Sequence, residues 1–270
     1  MGDLCLRINA LGPLLMLLFM ADAVFVPNEL EAEAGDPQAM AKLAVYYYNG
    51  VGGVEKDYSK AFAWFSKAAN EGIAPAQDAL GFMLSNGQAG EKDYARAFQW
   101  YERAAKQGDS DGLFHVGFSY ESGQGVGQSH EKAAEWYARA AEQGHAEAQL
   151  RLGLLHRTGR GVEQSHAKAI ELVEKSSNQG HPEAQFMMGN MCFSGEHVQQ
   201  SSAKAAELYE RAARQGHADA QFHLGAMYAH GHGVKKSHEK AVEWYERAAA
   251  QGTALAKFTL GVMQREYIPK

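Results

Sequence analysis

The sequence predicts an all-α protein, a solenoid of stacked antiparallel helix pairs with a 36-residue repeat. Three glycine series and one aromatic series carry that expectation. Gly81, Gly117, Gly153, Gly189, Gly225 and Gly261 are 36 residues apart, and so are Gly72, Gly108, Gly144, Gly180, Gly216 and Gly252. Gly87, Gly123, Gly159, Gly195 and Gly231 keep the same spacing, with Gly50 one residue out of step. The pairs Trp64-Phe65, Trp100-Tyr101, Trp136-Tyr137, Leu172-Val173, Leu208-Tyr209 and Trp244-Tyr245 form the fourth register. One period held in four registers marks a repeat array, whose units bury their apolar faces only by stacking on neighbours.

The N-terminus stands apart from the repeats. Residues 8–21 are apolar except for Asn9, follow Arg7 and lead into Ala21-Asp22-Ala23. A short positive region, an apolar stretch and small residues at −3 and −1 are the layout of a secretory signal. A spanning helix needs about 20 apolar residues, and Asp22 interrupts this stretch sooner. Residues 1–23 are therefore read as a cleaved signal peptide and 24–35 as a short linker. The localisation that follows is export to a bacterial periplasm or medium. The alternatives are an uncleaved membrane anchor or a eukaryotic ER lumen. No stable membrane span is expected once the signal is removed.

Six helix pairs are expected over residues 36–253. In each, the first helix carries apolar or small residues at helical spacing (Ala148, Leu152 and Leu155 in one copy) and ends at the Gly159 series. The second helix follows an N-cap, Asp57, Asp93, Ser129, Ser165, Ser201 or Ser237, whose side-chain oxygen can accept from first-turn N–H groups. It closes at the Gly180 series, where a left-handed residue is needed. Pro37 and Pro182 start first helices without loss of a hydrogen bond, and Asp111, Glu147, Glu183 and Asp219 suit the positive end of the dipole. The Gly81 series lies inside first helices, where glycine costs ~1 kcal/mol relative to alanine. A close helix–helix approach, against the small pair Ala104-Ala105 and its equivalents, is the expected reason. Residues 254–266 form one further first helix that caps the array.

Composition narrows the function. The 270 residues are 46% hydrophobic with a net charge of −6, and the charges are mixed in sign along the chain. Neither the basic surplus of a nucleic-acid binder nor a polybasic membrane patch is present. Cys5 and Cys192 are the two cysteines. They form no disulfide framework and match no zinc spacing. Cys192, on an apolar helix face, reads as a packed small hydrophobe rather than a nucleophile.

The run Ala-Glu-Ala-Gln-x-x-Leu-Gly, then Gly-x-Gly-Val, then Lys-Ala-x-x-Trp-Tyr-x-x-Ala-Ala-x-Gln-Gly-His resembles the Sel1-like repeat, a relative of the tetratricopeptide repeat. The resemblance covers about residues 36–266. It implies a right-handed α-superhelix used as a non-enzymatic scaffold or adaptor for protein partners. The fourth and fifth repeats depart from the pattern: Leu172-Val173 replaces Trp-Tyr, Ser176-Ser177 replaces Ala-Ala, Cys192 replaces a Tyr, and His197 stands where Gly161 and Gly233 sit.

Three sets of residues are candidates for chemistry. Ser-x-x-Lys occurs at Ser129–Lys132, Ser165–Lys168, Ser201–Lys204 and Ser237–Lys240. Penicillin-recognising enzymes use such a pair together with Ser-Asp-Asn and Lys-Thr-Gly, and the sequence has neither of those. Recurrence at 36 residues fits an N-cap followed by a solvated Lys, so no catalytic residue is assigned. A β-lactam or cell-wall hydrolase of the kind described for cysteine-rich relatives is the alternative function. The 12 histidines include His145, His181 and His217 in one register and His130, His166 and His238 in another. His223, His230 and His232 crowd the sixth repeat, yet they complete no tidy ligand set. No metal or cofactor is expected.

The third set is the concave groove that the resemblance implies, lined by first helices. By register its candidates are Phe114, Leu150, Phe186 and Phe222, then Phe82, Phe118 and Leu154 one turn on, with Phe193 further along. Such a groove would accept an apolar or helical peptide. The Phe114 series could instead pack between repeats. The partner is expected to be a protein or peptide, with no nucleic acid.

Overall fold

The computed structural model describes residues 29–88 and 90–266. The segment read as a signal peptide and the first part of the one read as a linker lie outside the described residues. Among these residues every regular element is a helix, and the chain divides into two compact units that meet between His145 and Ala146.

The first unit opens with α1 (Glu29–Glu33), within the segment read as a linker. Ala32 of α1 is buried, and Tyr47 donates a hydrogen bond to Glu29 at 3.0 Å. Three pairs follow: α2 (Pro37–Asn49) with α3 (Tyr58–Asn70), α4 (Ala74–Asn86) with α5 (Tyr94–Lys106), and α6 (Ser110–Ser122) with α7 (His130–Glu142). The second unit holds α8 (Ala146–Thr158) with α9 (His166–Asn178), α10 (Pro182–Ser194) with α11 (Ser202–Arg214), and α12 (Ala218–His230) with α13 (His238–Ala250). It closes with α14 (Ala254–Glu266), the expected terminal first helix.

The two helix types differ because their surroundings differ. The second helix α5 buries a narrow stripe, Ala97, Tyr101, Ala104 and Ala105. Its charged residues remain on the open side. The first helix α4 packs against second helices on both flanks, α3 and α5, and so buries Ala76, Ala79, Leu80 and Met83 together with polar Gln77 and Asp78. All six second-helix caps form as expected: the Asp or Ser side chain accepts the N–H three residues on, as Asp57 does from Lys60 at 2.9 Å. Gly144, at φ +88, turns the chain out of α7 while His145 N–H donates to Ala140 O at 3.1 Å.

The Gly81 series marks close approach, but its partner differs from the expectation. A Cβ on Gly81 would lie 2.7 Å from the Tyr101 ring and 3.0 Å from Ala97 O. The Tyr137, Tyr209 and Tyr245 rings stand in the same way over Gly117, Gly189 and Gly225. The Ala104-Ala105 pair instead packs on Gly112, whose Cβ would come within 2.7 Å of the Ala104 Cβ. The glycine notch therefore receives the second aromatic of the Trp-Tyr pair.

Buried polar groups are paired by a repeated device. Gln77 donates to Ala69 O at 3.0 Å and accepts from Gln107 at 2.8 Å. Gln185 and Gln221 do the same with Ser177 O and Gln215, and with Ala213 O and Gln251. Gln77, Gln185 and Gln221 thus tie their helices to the residues that close both flanking second helices and leave little polar surface unpaired.

Candidate functional site: two clefts in equivalent register

In the first unit, α4, α5 and α6 enclose a cleft of about 380 Å3. Phe82, Phe114 and Phe118 of the expected groove line it, together with Tyr101, His115 and Lys92. Phe114 is half-buried and stacks on His145 at 4.8 Å and on Tyr137 at 5.7 Å, so that residue packs between repeats while keeping one edge in the cleft. Phe82 and Phe118, one turn on, are also half-buried.

At the cleft wall is a pair that the sequence reading did not single out. His115 Nδ1 lies 2.7 Å from Asp78 Oδ1, and the two side chains are 15% and 8% exposed. The His115 ring is nearly parallel to Tyr101, with centroids 4.6 Å apart. Burial alone would strip the charge from His115, but Asp78, Asp111 and Asp109 outweigh it and hold its pKa above the ordinary value. Burial, helped by the Asp78 charge, pushes Asp109, the N-cap of α6, up to about 7. One signal for this pair was present in the sequence. Asp78 occupies the register of Phe114, Leu150, Phe186 and Phe222.

The second unit carries a cleft of about 360 Å3 among α8 to α12. Several lining positions repeat those of the first cleft 72 residues on: Arg157 for Ser85, His166 for Tyr94, and Asn190 for Phe118. Phe193, 41% exposed, lines this cleft. His223 stacks on Tyr209 at 5.4 Å as His115 does on Tyr101, but Phe186 stands where Asp78 would. Without a carboxylate partner, burial takes the His223 pKa down.

The remaining groove candidates divide. Leu150 is 2% exposed and belongs to the packed interior, so it presents no groove surface. Leu154 and Phe186 are half-buried and pack on the core of the second unit. Phe186 also stacks on His217 at 4.7 Å. Phe222 packs against Tyr245 at 5.4 Å.

The Ser-x-x-Lys motifs resolve as caps. Each Ser Oγ accepts from the backbone N–H of the Lys, at 3.2–3.3 Å. Lys132 and Lys240 extend over the Tyr120 and Tyr228 rings at 5.2 and 5.0 Å. Asp111, Glu147 and Glu183 do more than favour helix dipoles. They receive His145, His181 and His217 at 3.1, 2.6 and 2.9 Å, each 34 residues on. Nδ1 of His181 and of His217 accepts the N–H of Ala184 and of Ala220, which leaves Nε2–H to face the carboxylate. Burial acts to raise the Glu147 pKa, but hydrogen bonds from His181 and Arg151 prevail and hold it at about 2. Cys192 is buried, and desolvation moves its thiol pKa up, away from the reactive thiolate. Among the described residues, no group of three or more His, Cys, Asp or Glu side chains is placed to hold a metal ion. No described helix is long and apolar enough to cross a membrane.

The Sel1 repeat model matches six consecutive segments, residues 37–73, 74–109, 110–145, 146–181, 182–217 and 218–253. The chain belongs to the Sel1 repeat family. A Sel1 repeat protein from Oxalobacter formigenes superposes with a TM-score of 0.80 at 36% identity, over 86% of this chain and 67% of that one. Two Arabidopsis thaliana proteins, the ERAD-associated E3 ubiquitin-protein ligase components HRD3A and HRD3B, are 35% identical over 66 residues and 42% identical over 52. Those matches cover 24% and 19% of this chain, and 10% and 9% of the two curated relatives. Sel1 repeat arrays are commonly protein–protein interaction modules and typically non-enzymatic scaffolds.

Proposed function

We infer that this Sel1 repeat chain is a non-enzymatic scaffold that binds a partner protein through the groove formed by its first helices. The convergence of Phe82, Phe114 and Phe118 on one cleft, on helices whose own backbone groups are paired, carries the reading. Aromatic side chains on rigid helices give contact area at low entropic cost. The HRD3 relatives are named as components of a larger assembly, which agrees with such a role. The apolar segment at residues 8–21 supports export, with the partner met outside the cytosol.

Comparing partner capture by the full chain with capture by the Phe82→Glu/Phe118→Glu variant tests the assignment. Capture is lost while helical content is kept; retained capture would remove the groove from the mechanism.

A further inference from the structure

The cleft of the second unit differs in chemistry from that of the first. Its charged and titratable lining groups are Arg157, His166, Glu196, His197, Tyr209 and His223. Among the described residues, the imidazoles of His166, His197 and His223 have no hydrogen-bond or ion-pair partner, and Arg157 has no ion pair. This separates them from His115, His181 and His217, whose ring nitrogens are held by carboxylates. Glu196 is the one carboxylate on the cleft wall. Asp219 on α12 favours the charged form of His223, and His217, in the turn before α12, opposes it.

His197 is the second observation. It is the only described non-glycine residue with positive φ, at +59°. Its counterparts Gly125, Gly161 and Gly233 have φ of +76°, +71° and +69°. A Cβ on Gly125 or Gly233 would meet the carbonyl oxygen of Tyr94 or Ser202 at 2.1 or 2.2 Å. A side chain at 197 therefore carries a left-handed backbone and needs room that the glycine repeats do not have. That side chain lies on His166, with ring centroids 4.2 Å apart and planes 13° from parallel. Two uncharged imidazoles stack readily, whereas two imidazolium rings at this distance repel unless an anion lies against them. Ile170, Met191 and the exposed Phe193 supply an apolar wall beside these groups.

We propose that this cleft binds an acidic peptide segment of a partner protein, a carboxylate against Arg157, His166 and His197 with a neighbouring apolar side chain on Phe193 and Met191. The Arg157 guanidinium and the ring N–H donors of imidazoles that have no partner within the fold suit a carboxylate, and the apolar wall selects a peptide over a free inorganic anion.

The test uses the full chain and two fluorescein-labelled decapeptides, one alternating Leu with Glu and one alternating Leu with Gln. At pH 6 the Glu peptide binds at least about tenfold more tightly than the Gln peptide. Arg157→Gln and His197→Gly each abolish most of that preference. His197→Gly restores the residue found in neighbouring repeats, so its melting temperature is unchanged or higher and lost binding is not lost folding. The Phe82→Glu/Phe118→Glu protein binds the Glu peptide as the wild type does, which separates this site from the first cleft. Equal binding of the two peptides at pH 6, wild-type binding by His197→Gly, loss of binding in the Phe82→Glu/Phe118→Glu protein, or displacement by orthophosphate at the peptide's own concentration would each overturn the assignment.

Discussion

Single residues in this chain are set by what stands opposite them. A Cβ on Gly189 would lie 2.7 Å from the Tyr209 ring, one on Gly153 would lie 3.0 Å from the smaller Val173, and one on Gly261 would meet nothing within 4 Å. Alanine should therefore cost about 1–3 kcal/mol at 189 and less at 153, and gain up to about 1 kcal/mol at 261. Denaturant melts of the three variants measure the ranking directly; equal effects would show that the ring contact does not matter. The same logic applies to His115 and His223, which stack on the equivalent Tyr101 and Tyr209 but differ in whether Asp78 or Phe186 stands nearby. NMR titration should place His115 above His223, and Asp78→Asn should move His115 down toward it. A raised imidazole pKa stabilises the fold below the unfolded value near 6.5, and that contribution fades as pH rises through the folded value. An unmoved His115 in the Asp78→Asn protein would refute the pairing.

Helices are joined by ladders that repeat with the chain. The Glu147–His181 rung joins α8 to the start of α10 and holds Glu147 at about 2 against an ordinary 4.5. A depressed carboxylate pKa gives stability that is complete above the unfolded value and is lost as pH falls through the folded one. Its contribution is about 2 kcal/mol after allowance for partial solvent screening. Glu147→Gln should remove that amount at pH 7 and flatten the loss of stability between pH 4.5 and 2. Melts at stepped pH read both effects, and an unchanged acid limb would contradict them. At this scale the sequence was most informative. N-caps and left-handed glycines are fixed by the local backbone, so Ser165 and Gly180 could be placed without knowing their neighbours. The contacts between helices were less legible, because a period gives position along the chain but not the face that a neighbour presents. That is why Tyr101, and not Ala104-Ala105, was found over Gly81. It is also why the 34-residue acid–histidine rungs were read only as helix-dipole residues and recurrent histidines.

At the scale of the molecule, a uniform frame presents unlike surfaces at equivalent positions. The two clefts share a register 72 residues apart, yet one is walled by Phe82, Phe114 and Phe118 and the other by Arg157 and three imidazoles. The differences lie where the sequence breaks its own period: Asp78 in a phenylalanine register, His197 in a glycine register. His197 was legible as a departure, whereas Asp78 became notable only once His115 was seen beside it. The frame is the Sel1 repeat, and its departures distinguish one array from another. The central claim is that the first-unit groove is the partner-binding surface. Quantitative crosslinked capture of partners by the full chain, wild type against Phe82→Glu/Phe118→Glu, tests it most directly. The account predicts a loss of capture of at least about tenfold with an unchanged helical circular-dichroism signal. Capture at the wild-type level by the folded variant would contradict it.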